Sequence, residues 1–197
     1  MLFINYAARE INLKIVYYGP GLSGKTTNVK YIFAKTDPER RGALLRLETE
    51  SDRTLFFDFL PLTVGKVGGF SVRFHLYSVP GQIFYAAARK LVMRGADAVI
   101  FVADSQAGRF EANVESLENM RADIAEHGLE GVTCAVQYNK RDSPTALPVE
   151  ELRAALNPDG LPEWEAVASE GTGVFDTLRG VTRLVMTRLR DQRVASR

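Results

Sequence analysis

The sequence predicts an α/β fold with three layers, built on a mostly parallel sheet with one antiparallel edge strand. Three observations predict it. Apolar periodicity switches repeatedly between a strand period and a helix period. The run ADAVIFVAD (96–104) is almost continuously apolar, as suits a parallel strand covered on both faces. Gly68–Gly69 interrupts the strand-like stretch 64–79 and suits a hairpin turn, hence one antiparallel edge. Strands alternating with helices bury both sheet faces, through right-handed crossovers.

In chain order, NLKIVYYG (12–19) is β-rich and KTTNVKYIFAK (25–35) is helical in character. Residues 36–50 are polar and irregular, and RTLFFDFLPLTVG (53–65) is apolar but broken by Asp58 and Pro61. A helix over 82–94 follows the hairpin. RFEANVESLENMRADIAEHG (109–128) carries Val114, Leu117, Met120 and Ile124 at helical spacing, with Gly128 as its C-cap. VTCAVQYN (132–139) is a second buried strand, and PVEELRAAL (148–156) opens with Pro at a first helical position. WEAVAS (164–169) is the last strand. The closing helix, 174–189, aligns Val174, Leu178, Val181, Val185 and Leu189 on one face. No repeat or linker divides the chain, so residues 1–197 read as a single domain. Ligands of such sheets sit at the carboxyl ends of the strands. The loops 19–26, 78–82, 104–108, 139–143 and 168–173 should therefore share one face.

The 197 residues carry a formal net charge of +1, with 46% hydrophobic and 25% charged residues. That balance gives no electrostatic argument for nucleic acid or an anionic membrane as bulk partner. The lone cysteine, Cys134, lies in an apolar run and reads as a small buried hydrophobe, consistent with a reducing compartment. No apolar run approaches the roughly 20 residues of a membrane span. The N-terminus lacks a signal-peptide pattern, residue 2 is Leu and the chain ends VASR. The expectation is a cytoplasmic protein without a lipid anchor. His75 and His127 lie far from any metal-ligand spacing and read as structural, and Trp164 as packing at the sheet edge.

GPGLSGKT, Gly19 to Thr26, matches G-x-x-x-x-G-K-[ST] between a predicted strand and a predicted helix. The glycines let backbone N–H groups turn inward around phosphate oxygens, and the helix start adds partial positive charge. Candidate phosphate-binding residues are Gly19, Gly21, Leu22, Ser23, Gly24, Lys25, Thr26 and the adjacent Thr27. Lys25 would reach the β- and γ-phosphates, and the Thr26 hydroxyl would bind Mg²⁺. NKRD (139–142) follows a buried strand. The Asp142 carboxylate can accept from guanine N1–H and N2–H₂, a donor pair that adenine lacks. Asn139 would tie the base to the phosphate loop, and the Lys140 stem would lie along the base face. Ala168 and Ser169, after the last strand, would offer a backbone N–H to guanine O6.

Together these residues resemble the Ras-like small GTPases over nearly the whole chain. SVPGQ (78–82) stands where that family has D-x-x-G-Q. The resemblance implies that Gly81 gives its N–H to the γ-phosphate and Gln82 orients the attacking water. Ser78 departs from the family's Asp, which holds Mg²⁺ through a water; Asp52 and Asp58 are candidates to compensate. The stretches INLKIVYYGPGLSGKTTN, ESDRTLFFDFLP, RFHLYSVPGQIFY and VQYNKRD are similar to the MglA-type bacterial GTPases, which control polarity and motility. That resemblance implies a P-loop NTPase fold of Ras-like type binding GTP/GDP and Mg²⁺. It implies that Thr54 binds Mg²⁺ and the γ-phosphate and that Arg53 is an arginine finger in cis. It also implies an MglB-like activator of the Roadblock fold and effectors that read the GTP state. The plain alternatives are a solvated Arg53 and a polar helix cap for Gln82. An exposed Phe56, Phe57 or Phe59 would be a partner surface, a buried one core. Two rival functions are a GTP-binding module with negligible turnover and a P-loop kinase, which NKRD opposes.

Overall fold

The computed structural model describes residues 3–47, 57–80 and 86–195. A three-residue strand β1 (Phe3–Asn5) leads into β2 (Glu10–Tyr18), the centre of the sheet. In β2 the alternating burial of Ile11, Leu13 and Ile15 gives way to complete burial at Val16, Tyr17 and Tyr18. β2 is flanked by parallel partners on both sides, β5 (Phe70–Ser78) along its length and β6 (Ala98–Asp104) at residues 15–18. β1 pairs with residues 10–12, below the stretch that β6 covers.

β3 (Leu45–Leu47) and β4 (Phe57–Val67) extend the sheet beyond β5, and β7 (Thr133–Asn139) and β8 (Glu163–Glu165) extend it beyond β6. Among the described residues the order is β3-β4-β5-β2-β6-β7-β8, with β1 beside β2. The predicted Gly68–Gly69 hairpin joins β4 to β5 antiparallel. The short strands β3 and β1 are antiparallel as well, where the sequence suggested a single such strand. Pro61 is tolerated inside β4 because β3 pairs only with its first residues, Phe57 to Phe59.

Helices cover both faces. α1 (Lys25–Lys35) and α5 (Val174–Ala195) pack on one, over Leu13, Ile15, Leu60, Phe74 and Ile100. α2 (Ala86–Met93), α3 (Phe110–Glu126) and α4 (Val149–Leu156) lie on the other, over Val16, Tyr18, Phe101 and Tyr138. No helix among the described residues is long and apolar enough to cross a membrane.

The predicted last strand, 164–169, is shorter than read. Ala166 still donates to the Tyr138 carbonyl, but the chain then turns, with Glu170 N–H on the Val167 carbonyl. Val167 and Ala168 are buried for the sake of that turn. Trp164 packs against the α1–α5 core, as expected of an edge residue. His75 pairs with Asn12 and His127 with the Asp123 carbonyl, as structural histidines do. Burial pushes the Cys134 thiol up to about 11, which leaves it protonated and unreactive. Phe57 is half-buried against the α2–α3 core, and the half-buried Phe59 stacks on His75 and lies tilted against Tyr77. Phe56 lies outside the described residues.

Candidate nucleotide and magnesium site

The site forms where the strand order reverses, at the carboxyl end of β2, the place such sheets reserve for ligands. The loop after β2 bends sharply there. Gly24 has φ +101, and a Cβ on it would lie 2.1 Å from Asn139 Nδ2. At Gly19 a Cβ would lie 2.3 Å from the Val102 carbonyl oxygen of β6. Both glycines are needed for the close approach of this loop to its neighbours. Leu22 also has positive φ, +67, and sits 86% exposed at the tip beside Gly21. Ser23 is fully buried, and its hydroxyl has no hydrogen-bond partner among the described residues. A polar atom held so in a phosphate-shaped loop is suited to an anion.

Lys25 opens α1, adjacent to Thr26 and Thr27. It is buried, and its ammonium donates to the carbonyls of Gly19 at 2.8 Å and Pro20 at 2.6 Å. Burial, then the fields of Arg89 and Arg109, lowers its pKa to about 7, while Asp58 acts in the opposite direction. Arg109 reaches the loop directly, donating to the Gly21 carbonyl at 2.7 Å. Arg89 is buried on α2 and lies 3.9 Å from the Asp123 carboxylate, which also accepts from Tyr18 at 2.8 Å. This contact fastens α2 to α3.

Phosphates brought against Lys25 favour its charged form. Nucleotide binding above pH 7 should therefore take up a proton at this amine. The expected result is a GDP dissociation constant that rises between pH 7 and 9, by up to about tenfold per pH unit. Calorimetry at pH 8 in two buffers of different ionisation enthalpy checks it, and an absence of proton uptake would contradict it. The same shift stabilises the fold as pH rises from about 7 towards 10.5, since there the unfolded lysine holds the proton that the folded one releases.

The base side of the site is organised by Asn139, at the end of β7. Its amide donates to the Ser23 carbonyl at 2.7 Å, and its oxygen accepts from the Ala168 N–H at 2.9 Å. Asn139 thus ties the phosphate loop to the turn after β8. The Ala168 N–H proposed for the base is committed to Asn139 here, and Ser169 stands on the exposed turn beside it. Lys140, with φ +64, swings its ammonium onto Asp104 at 2.7 Å. Asp142 is exposed on the same turn, which Arg141 braces by donating to the Leu147 carbonyl and to Glu165.

Asp104 is a site residue that sequence reasoning missed. It is fully buried at the end of β6 and gathers Lys140 and Arg109, its carboxylate lying 3.8 Å from Arg109 Nε. The signal was available: an acid ending an otherwise apolar buried strand, on the ligand face. Asp58, one of the two acids that the sequence offered as compensation for Ser78, also lies in the site. Its buried carboxylate accepts from the Thr26 hydroxyl and from the Ser78 hydroxyl, each at 2.6 Å. This is an oxygen-only donor set beside the phosphate loop, which fits Mg²⁺. Arg53, Thr54, Gly81, Gln82 and the other candidate acid, Asp52, lie outside the described residues.

A doubly flanked central strand ending in this loop, with an Asn–Lys–x–Asp turn beside it, defines a P-loop guanine-nucleotide-binding protein. The chain belongs to the ADP-ribosylation factor family, whose model matches residues 2–177. It is 61% identical over 192 residues to the mutual gliding-motility protein MglA of Myxococcus xanthus (strain DK1622). That match covers 96% of this chain and 98% of the relative. The protein is a GTP-binding small GTPase.

Proposed function

We propose that this GTPase is a polarity and motility switch, slow alone, whose hydrolysis is accelerated by an MglB-like protein of the Roadblock fold. The single observation that carries the reading is the Ser23–Asn139–Ala168 tie, which joins phosphate loop and base turn into one nucleotide clamp. The likeness to a gliding-motility protein over almost the whole chain supports the cellular role.

In the proposed mechanism Gly19 to Thr27 cradle the phosphates, and Lys25 meets the β- and γ-oxygens. Asp142 reads the guanine edge, with Ser169 near O6. Gln82 orients water for in-line attack on the γ-phosphate, and Arg53 neutralises the charge that spreads over the departing phosphoryl group. Thr26 and Thr54 would hold Mg²⁺, which would supply positive charge to offset that of the phosphates. Little covalent chemistry is asked of the chain, so positioning and electrostatics carry the rate. The γ-phosphate orders the segments 46–60 and 78–92, and partners read that order.

Single-turnover hydrolysis of GTP by the purified chain, with and without a Roadblock-fold activator, tests this reading. The expected result is slow turnover that the activator accelerates. Tight GTP binding with no turnover in either condition would replace it by a nucleotide-gated scaffold.

A further inference from the structure

β4 alternates strictly at its start. Asp58, Leu60 and Leu62 are buried on the α1 face, and Phe57, Phe59 and Pro61 point to the other. Asp58 therefore holds a core-facing position that its neighbours fill with leucine. A buried carboxylate persists only when hydrogen-bonded. Its partners are the Thr26 hydroxyl at the start of α1 and the Ser78 hydroxyl at the end of β5. Ser78 is Asp58's direct cross-strand neighbour, and its hydroxyl also accepts from the Asp58 N–H at 3.2 Å. Ser78 thus grips Asp58 at two points, through side chain and backbone.

The Thr26 hydroxyl has one proton and two lone pairs. The proton is directed at Asp58, which leaves the lone pairs for a cation. The field of Asp58 also reaches Lys25, so its charge acts within the phosphate site.

Resting on the GTPase reading above, we infer that Asp58 is the acid that supports Mg²⁺ in this protein, acting from β4 through the Thr26 hydroxyl, with Ser78 as its positioning residue. The carboxylate that Ras-like proteins carry at the end of β5 has crossed to the neighbouring strand, and a hydroxyl has taken its old place. The charge of the site is conserved while its source moves. Ser78 is then a complement to Asp58 rather than a loss of function.

The test is release of fluorescent GDP from the full chain as Mg²⁺ is titrated against EDTA. The readout is the Mg²⁺ concentration that half-maximally slows release, with the rate in EDTA as internal reference. Asp58→Asn should raise that concentration about 10–100-fold, the usual cost of losing a group that orients a metal ligand. Adding Ser78→Asp to Asp58→Asn should return it most of the way to wild type. Ser78→Ala, which keeps the carboxylate but loosens it, should shift it in the same direction by less. An unchanged Mg²⁺ requirement in Asp58→Asn would overturn the inference. So would a double variant no better than Asp58→Asn, since the acid would then serve only strand packing. Failure of the wild type to bind GDP would instead remove the GTPase reading on which the inference rests.

Discussion

With a Roadblock-fold activator present, Arg53→Ala should hydrolyse GTP about 10³–10⁵-fold more slowly than wild type in a single turnover. The transferring phosphoryl group spreads negative charge over its equatorial oxygens, and a guanidinium there lowers the barrier. In the proposed mechanism Lys25, at the phosphate loop, would mark where that charge develops. Arg53 is five residues from Asp58 in the chain, and five residues reach at most about 18 Å when extended. The tether is therefore short enough to bring the side chain to the phosphates. Affinity for GTP should change little, because the contact strengthens as the transition state forms. Arg53→Lys should recover only a small part of the rate, since an ammonium lacks the planar fork. Equal rates for Arg53→Ala and wild type would remove Arg53 from the mechanism.

Asp142→Asn should lose most of its affinity for GTP and gain affinity for the xanthine analogue. Each hydrogen bond to a charged group contributes about 1.5–3 kcal/mol, so losing a pair weakens binding roughly 10²–10⁴-fold. The new amide offers one donor and one acceptor. Xanthine presents an oxygen where guanine has its amine, and so matches that pair. The prediction depends on a rigid turn. Asn139 fixes its start between Ser23 and Ala168, and Arg141 braces its middle on Leu147 and Glu165. Competition binding of GTP against XTP to both proteins measures the change. An unaltered preference for GTP would show that the base is read elsewhere.

Much of this site was legible because its chemistry is local. Gly19 to Thr26 and Asn139 to Asp142 are short contiguous runs, and the strand and helix on either side fix their direction. The apolar run 96–104 announced a fully covered strand, and β6 is buried throughout. Asp104 was not legible as a partner of Lys140, since 36 residues separate them and only the pairing of β6 with β7 sets them side by side. The length of the last strand was also misjudged. The apolar residues Val167 and Ala168 are buried by a turn, and burial alone does not distinguish a turn from a strand.

The sequence by itself determined that this protein cradles phosphates, reads guanine and builds an α/β sheet to do so, because spacing within a few residues encodes each of these. The tertiary structure decided which acid stands beside Thr26 and Ser78. At the Gly68–Gly69 turn Val67 faces Phe70, and counting on without interruption would set Phe59 opposite Ser78. The register instead shifts between Thr63 and Gly65, which places Asp58 opposite Ser78. A slip of one residue turns every side chain to the other face of the sheet. That bulge alone puts the Asp58 carboxylate, rather than the ring of Phe59, beside the hydroxyls of Ser78 and Thr26.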